Sequence, residues 1–312
     1  MKQERVLVVG CHGRLGQHVL RGLLGKCEVM GLARDEETFI DHPGFGYARA
    51  PGTTVEALET VFDNFAPDAV LNAAAYTNVD KAEEERERCW EVNAQLPASL
   101  AELCRRHGSW LGHVSTDYVF DGEAGPYATD APTRALGWYG QTKLEAERRI
   151  AQSGARASVV RTLVLFGKGH GVGKDFFAWA LGQLRAKQPI TVVTDQVSNA
   201  CWAQDLTDAL VAAMEKESEG LYHAASPEVI SRFEMTRMAA ELRGLDASLV
   251  VPISTAELGQ KARRPMRSGL LAERSAQALG VRFRSLVEAL EGYAADEQDL
   301  GLPVLQALVC ES

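Results

Sequence analysis

A glycine-spaced turn, Gly10-Cys11-His12-Gly13-Arg14-Leu15-Gly16, joins an apolar run to a helical pattern, and no other segment restricts the fold as much. Before it, Val6-Leu7-Val8-Val9 is a continuous β-branched and apolar stretch, the pattern of a strand buried on both faces. After it, Leu15, Val19, Leu20, Leu23 and Leu24 fall on one face of a helix. The chain between them must turn tightly, bring its backbone close to a ligand, and pack helix on strand. A side chain obstructs each of these, which accounts for glycine at three fixed places. The helix start offers free N–H groups and a partial positive charge to a pyrophosphate. Gly10, Gly13, Arg14, Leu15 and Gly16 are therefore the candidate residues for holding a dinucleotide.

The same alternation continues. Cys27–Leu32, Asp68–Asn72 and Trp110–Val114 read as further buried strands, separated by a helix capped at Thr54 and a long helical stretch, Lys81–His107, ending at Gly108. Buried strands alternating with helices imply βαβ units and a parallel sheet, and right-handed crossovers make it doubly wound. The expected fold is α/β, a Rossmann-type doubly wound parallel sheet with a smaller C-terminal α+β substrate-binding lobe. Residues 1–160 form the nucleotide-binding domain, and 195–225 return to it. Residues 161–194 and 226–312 form the lobe, where Ser158–Arg161 and Ile190–Val193 read as strands, and Gln204–Lys216 and Ser231–Arg243 as helices.

At the end of such a second strand an acidic residue holds the ribose hydroxyls of NAD. Here the strand ends Gly31-Leu32-Ala33-Arg34. An arginine pairs with a 2′-phosphate, so NADPH is the expected cofactor, with NADH left open by Asp35 next in the chain. Lys and Arg number 33 against 42 Asp and Glu, a net charge of −9. That balance argues against nucleic-acid binding, which runs on Lys and Arg. No stretch reaches the roughly 20 apolar residues of a membrane span, and Met1–Arg5 carries no apolar export segment. The six cysteines, Cys11, Cys27, Cys89, Cys104, Cys201 and Cys310, are widely separated. They suit reduced thiols in a cytoplasmic protein and no metal site.

Reduction of a carbonyl needs a proton donor beside the forming alkoxide. A tyrosine serves when a cation lowers its pKa from about 10, and a lysine one helical turn on shares its face. Tyr139-Gly140-Gln141-Thr142-Lys143 has that spacing. Thr116, with Ser115 as the second choice, ends the strand from Trp110 at the carboxyl edge of the sheet, where open α/β folds bind ligands. Thr116, Tyr139 and Lys143 are the candidate catalytic set.

With these groups in place the chain resembles the extended short-chain dehydrogenases/reductases, and among them the dTDP-4-dehydrorhamnose reductase family. The resemblance covers about 1–290. It rests on Asn72-Ala73-Ala74-Ala75-Tyr76-Thr77-Asn78-Val79-Asp80-Lys81-Ala82-Glu83, Val92-Asn93-Ala94 and Val114-Ser115-Thr116-Asp117-Tyr118-Val119-Phe120-Asp121-Gly122. Pro126-Tyr127, Tyr139-Gly140 with Lys143-Leu144-Glu145, Asp195-Gln196 and Arg264-Pro265 with Ser268 continue it. It implies a 4-keto-6-deoxy nucleotide sugar as substrate, reduced at C4 with Tyr139 as proton donor. It also implies that Ala73, Ala74 and Tyr76 line the cofactor beside Tyr139 and Lys143, and that a sugar-binding lobe begins after Arg161-Thr162. Ser115, Thr116, Asp117, Val164 and Arg264 are the candidate substrate contacts. The family's usual Arg-Thr-Ser-Trp-Val is Arg161-Thr162-Leu163-Val164-Leu165 here, its Asn-Phe is Asp175-Phe176, and its Gly-x-Pro-Thr is Ser198-Asn199-Ala200-Cys201. The resemblance extends to the non-catalytic, NADP-binding β subunit of methionine adenosyltransferase, so a regulatory subunit remains a second reading and a nucleotide-sugar epimerase a third. A homodimer is left open.

Gly167-Lys168-Gly169-His170-Gly171-Val172-Gly173-Lys174 misses the phosphate-binding G-x-x-x-x-G-K-[ST] template, since Lys168 replaces the first glycine and Asp175 follows Lys174. It reads as a mobile loop or connector. Arg263, Arg264 and Arg267 form a basic cluster that suits a diphosphate or a solvated patch. Glu83–Arg88 reads as a solvated helix face, and Trp138 as packing. His113 is read as a packed strand-end residue. Tyr118 stands where related dehydratases carry glutamate after the aspartate, which argues against elimination.

Overall fold

The computed structural model describes residues 4–295, so Cys310 lies outside the described residues. The chain begins with β1 (Arg5–Val9), α1 (Arg14–Leu23), β2 (Glu28–Ala33), β3 (Phe45–Arg49), α2 (Val55–Phe65) and β4 (Ala69–Asn72). It continues with α3 (Val79–Ala82), α4 (Arg86–Trp90), α5 (Leu96–His107), β5 (Trp110–Thr116), α6 (Trp138–Ser153) and β6 (Ala157–Thr162). Then come β7 (Leu165–Phe166), α7 (Phe176–Arg185), β8 (Ile190–Val193), β9 (Val197–Ser198), β10 (Cys201–Trp202), α8 (Ala203–Glu215) and β11 (Gly220–His223). The last elements are β12 (Ile230–Ser231), α9 (Arg232–Leu242), β13 (Val250–Ile253), α10 (Thr255–Leu258), α11 (Glu273–Leu279) and α12 (Leu286–Ala295).

The main sheet has seven strands in the order β11-β6-β5-β4-β1-β2-β3, and its paired strands run parallel. The chain winds outward from β1 to β3, then crosses back and winds outward from β4 the other way. A crevice therefore opens at the carboxyl ends of β1 and β4, the place where open α/β sheets bind ligands.

Successive residues of β1 point to opposite faces. Val6 and Val8 join Val19, Leu20 and Leu23 of α1 and Leu206, Ala209 and Leu210 of α8. Leu7 and Val9 join Leu58 and Phe62 of α2, Leu100 and Leu103 of α5, and Ile150 of α6. All four β1 residues are almost fully buried, and burial of a side chain of this size stabilises by about 1.5–3 kcal/mol. Both faces are covered, which is why the strand reads as an unbroken apolar run.

Two local expectations change. The single helix predicted over Lys81–His107 is broken into α3, α4 and α5, with a wide π turn over Glu91–Gln95. Pro97, in the first turn of α5, has no N–H to give the carbonyl four residues back at Asn93. Asn93 meanwhile turns its side chain to the main chain of Tyr76, accepting from its N–H at 2.8 Å and donating to its carbonyl at 3.0 Å. The edge strand β3 went unread because Phe45–Ala48 are only half-buried and glycine interrupts the pattern.

After β6 the chain leaves the sheet and builds a second lobe. Its short sheets pair β7 with β10, β9 with β12 and β8 with β13. Helix α8 and strand β11 return to the main sheet, where β11 lies parallel to β6. The second lobe has its own core around Phe166, Phe177, Leu181, Met235, Leu290 and Tyr293. Ser231 starts α9 with a reciprocal cap to Glu234, and Asp175 caps α7 by accepting from the Ala178 N–H at 2.8 Å. Among the described residues no helix is long and apolar enough to cross a membrane.

Candidate active site

The glycine turn lies against the start of the loop that follows β4. Gly10 has φ +81°, and a Cβ there would meet the Ala74 nitrogen at 2.7 Å. A Cβ at Gly16 would meet the Gly10 carbonyl oxygen at 2.1 Å. No side chain fits at either place, so the turn stays closed only with glycine. Gly13 precedes the first turn of α1 without a side-chain cap, which leaves the N–H groups of Arg14, Leu15 and Gly16 for an anion. Leu15 contributes only backbone, since its side chain is in the core. Ala73 and Ala74 stand behind Gly10, at the crevice. The cradle, the helix start and the exposed Arg34 fit a dinucleotide carrying a 2′-phosphate.

Arg14 does something other than expected. Its Nε donates to the Gly167 carbonyl at 2.8 Å and its guanidinium reaches the Gly173 carbonyl at 2.5 Å. Gln17 adds bonds to both main-chain groups of His170, each at 2.8 Å. The glycine-rich segment is therefore strapped to α1 rather than hanging free. Arg14 holds that strap through Nε and one terminal nitrogen of its guanidinium.

The three candidate catalytic groups gather at the carboxyl end of β5. Tyr139 and Lys143 lie on one face of α6, and the Tyr139 phenol lies beside the Thr116 hydroxyl, whose hydrogen bond favours the phenolate. Burial outweighs that bond and pushes the phenol above its usual range, so it stands protonated at neutral pH. Lys143 is almost fully buried and donates to the Val114 carbonyl at 2.6 Å. Burial lowers its ammonium to about 8, opposed by the charge of Glu147. Desolvation dominates for both groups, in opposite directions.

Asn72 accepts from the Ala74 N–H at 3.1 Å and gives its amide to His113 Nδ1 at 3.1 Å. His113 Nε2 lies 3.4 Å from Lys143 Nζ. Burial, then Lys143, holds this imidazole well below its ordinary value, so it is neutral and braces the lysine. Thr116 donates to Asp117 at 3.2 Å, and Asp117 accepts from Ser268 at 2.5 Å. Asp117 thereby links Thr116 to the second lobe. Burial raises its carboxyl, against the hydrogen bond from Ser268 and the charge of Arg232. The Tyr118 ring stands edge-on to Tyr139, centroids 5.5 Å apart.

Four candidates stand elsewhere. Ser115 donates to Glu147 at 2.5 Å, and Glu147 pairs with Arg161 at 2.7 Å. Strand alternation turns its hydroxyl toward α6, so it serves packing and not a carbonyl. Arg264 spends its guanidinium on Asp80 at 2.8 Å, holding the loop between α10 and α11 to α3. Val164 packs against both the second-lobe core around Phe166 and the cluster that holds Phe120 and Leu144, with φ +40°, a strained conformation for a β-branched residue. Tyr76 turns its hydroxyl to Glu85 at 3.0 Å and is fixed by Asn93 through its backbone. Sequence reasoning missed Arg232 at the start of α9, a half-buried cation over the Phe176 ring at 5.4 Å. It acts on Asp117 and Tyr118, and an arginine beginning a capped helix carries no signal that marks it. Among the described residues no cluster of His, Cys, Asp or Glu could hold a metal ion.

A parallel sheet with a glycine cradle at its switch point and a threonine, tyrosine and lysine at the next strand end defines an extended short-chain dehydrogenase/reductase. The chain belongs to the family described as RmlD substrate binding domain, which matches residues 4–298. It is 33% identical over 283 residues to the dTDP-4-dehydrorhamnose reductase of Mycobacterium tuberculosis, covering 89% of this chain and 88% of that one. The enzyme of the same name from Mycolicibacterium smegmatis is 38% identical over 231 residues, 73% and 70% of the two chains. Among solved structures, dTDP-4-dehydrorhamnose reductase from Bacillus anthracis in complex with NADP superposes with a TM-score of 0.83 at 25% identity, covering 94% and 99%.

The Lys143 ammonium sets a pH expectation. Its charge is present below about 8 and lost above it, so kcat/KM for reduction should fall with a limb near that pH. A rate profile that stays flat for two pH units above it would remove this charge from the chemistry.

Proposed function

We propose that the chain is an NADPH-dependent reductase of a 4-keto-6-deoxy nucleotide sugar of the dTDP-4-dehydrorhamnose kind. The observation that carries this is the placement of Thr116, Tyr139 and Lys143 together at the carboxyl end of β5, beside the glycine cradle. Gly10, Gly13 and Gly16, with the backbone of Arg14 and Leu15, would hold the pyrophosphate, Ala73 and Ala74 would line the crevice, and Arg34 would meet the 2′-phosphate. When bound, the reduced nicotinamide supplies a hydride to the sugar carbonyl.

The protein's part is the proton. The Tyr139 Oη carries one at neutral pH and gives it to the carbonyl oxygen as negative charge develops there. Lys143, one turn along the same helix, offsets the charge left on the phenolate, and solvent restores the proton afterwards. Thr116, oriented by its bond to Asp117, holds the carbonyl oxygen in line with the phenol. Most of the acceleration then comes from positioning and preset charge. Asp117 ties the second lobe to this point through Ser268, so closure over a sugar would register at Thr116. Val164, where relatives carry tryptophan, would leave a less aromatic wall beside the sugar.

The test is NADPH consumption, followed by absorbance, with a panel of 4-keto nucleotide sugars. Oxidation with at least one 4-keto-6-deoxy substrate is expected. Tight NADP binding with no turnover on any of them would favour a regulatory subunit, and interconversion without net oxidation an epimerase.

A further inference from the structure

The glycine turn carries a histidine whose ring is almost enclosed. The His12 side chain is 9% exposed. Its Nδ1 bonds Asp35 Oδ2 at 2.7 Å and its Nε2 bonds the Thr38 hydroxyl at 3.1 Å, so both ring nitrogens are engaged. The ring stacks on Tyr47, centroids 4.9 Å apart and planes within 11°, and packs on Phe39 at 4.7 Å. Tyr47 in turn donates its hydroxyl to the Asp35 carbonyl at 2.5 Å. The position of Asp35 is thus set from two sides.

Asp35 is the second residue past β2, where an acidic side chain takes the ribose hydroxyls and repels a 2′-phosphate. Arg34, its exposed neighbour, is the residue type that accepts that phosphate. The two make opposite demands on one corner of the site. His12 bears on the contest: it engages one Asp35 oxygen and ties that side chain to the turn, while Arg34 acts on the same carboxylate through its charge alone. Hydrogen bonding from His12 is also what keeps this carboxyl ionised below its ordinary range.

We infer that His12 is the positioning residue that sets preference for a 2′-phosphorylated adenine nucleotide, by holding the Asp35 carboxylate away from the 2′ position. The inference rests on the NADPH reading above and adds the residue that decides it. Released from His12, Asp35 would face the ribose, pair with Arg34, and exclude the phosphate by charge.

Binding of adenosine 2′,5′-bisphosphate and of 5′-AMP to the full chain, measured by calorimetry, isolates the 2′ group without turnover. The unaltered protein should bind the bisphosphate at least about tenfold more tightly. His12→Phe keeps the ring stack and loses the hydrogen bonds, so the gap should shrink to within about twofold through loss on the bisphosphate alone. Adding Asp35→Asn to His12→Phe should reopen it, because the released charge is gone. His12→Ala supplies the same comparison if the phenylalanine variant does not fold. An unchanged gap in the His12 variants, equal loss on both nucleotides, or no recovery with Asp35→Asn would each overturn the inference. Preference of the unaltered protein for 5′-AMP would instead overturn the NADPH reading itself.

Discussion

Tyr139→Phe should lower turnover by about 10²–10⁴-fold, the usual contribution of one positioned proton donor, while NADP affinity stays within about twofold. The phenol is the group beside Thr116 that burial keeps protonated, and phenylalanine removes only the oxygen. The ring still packs edge-on to Tyr118, so the helix and its lysine keep their place. Loss should therefore fall on kcat and not on nucleotide binding, which the glycine cradle supplies independently. Single-turnover rates with a 4-keto nucleotide sugar, beside calorimetry with NADP, separate the two. Turnover within threefold of the unaltered protein would assign the proton to another group.

Glu147→Ala should destabilise the fold by about 3–5 kcal/mol, the cost of stranding a buried charge. Arg161 donates to Glu147 through two nitrogens at 2.9 and 2.7 Å, and the side chains are 3% and 6% exposed. Ser115 adds a third bond to the same carboxylate. With the carboxylate gone, the guanidinium keeps only the Thr129 carbonyl at 3.2 Å and the Phe120 face at 5.0 Å. Urea unfolding measures the loss. A double change, Glu147→Leu with Arg161→Met, should recover most of it, since an apolar pair leaves no unpaired charge. The substitution should also move the pH limb of turnover downward, because Glu147 is the charge that raises Lys143. A loss below 1 kcal/mol would mean that water reaches the guanidinium.

The parts of the site that depend on local chain geometry were legible. Gly10 and Gly16 have steric demands that a single turn imposes, and the one-turn spacing of Tyr139 and Lys143 follows from helix pitch alone. β1, β4 and β5 read as strands because both of their faces are covered. The parts that failed depend on what a side chain meets across the fold. Arg14 follows a glycine at a helix start, as a phosphate ligand would, yet it reaches carbonyls more than 150 residues along the chain. Ser115 and Thr116 are adjacent hydroxyls at a strand end, and only the position of α6 shows which one faces Tyr139. Arg264 in its basic cluster suits a diphosphate or a solvated patch by sequence, and only the fold sets Asp80 against it.

Charge state divides in the same way. The spacing of tyrosine and lysine is local, but desolvation is a property of the enclosed volume, and it pushes the phenol up and the ammonium down. His12 is the clearest case. Its presence in the turn was plain, and its meaning depends on Asp35, Thr38 and Tyr47 arriving from β2, the following loop and β3.

The order of residues alone determined the doubly wound sheet, the glycine turn and the sharing of one helix face by Tyr139 and Lys143, since these rest on periodicity and on steric limits felt within a few residues. Which arginine is spent on the fold, which hydroxyl lies beside Tyr139 and which carboxylate meets His12 were decided only when distant segments met. Hydrogen-bond partners and desolvation are set by contact in space, and contact between remote segments leaves no trace in local spacing.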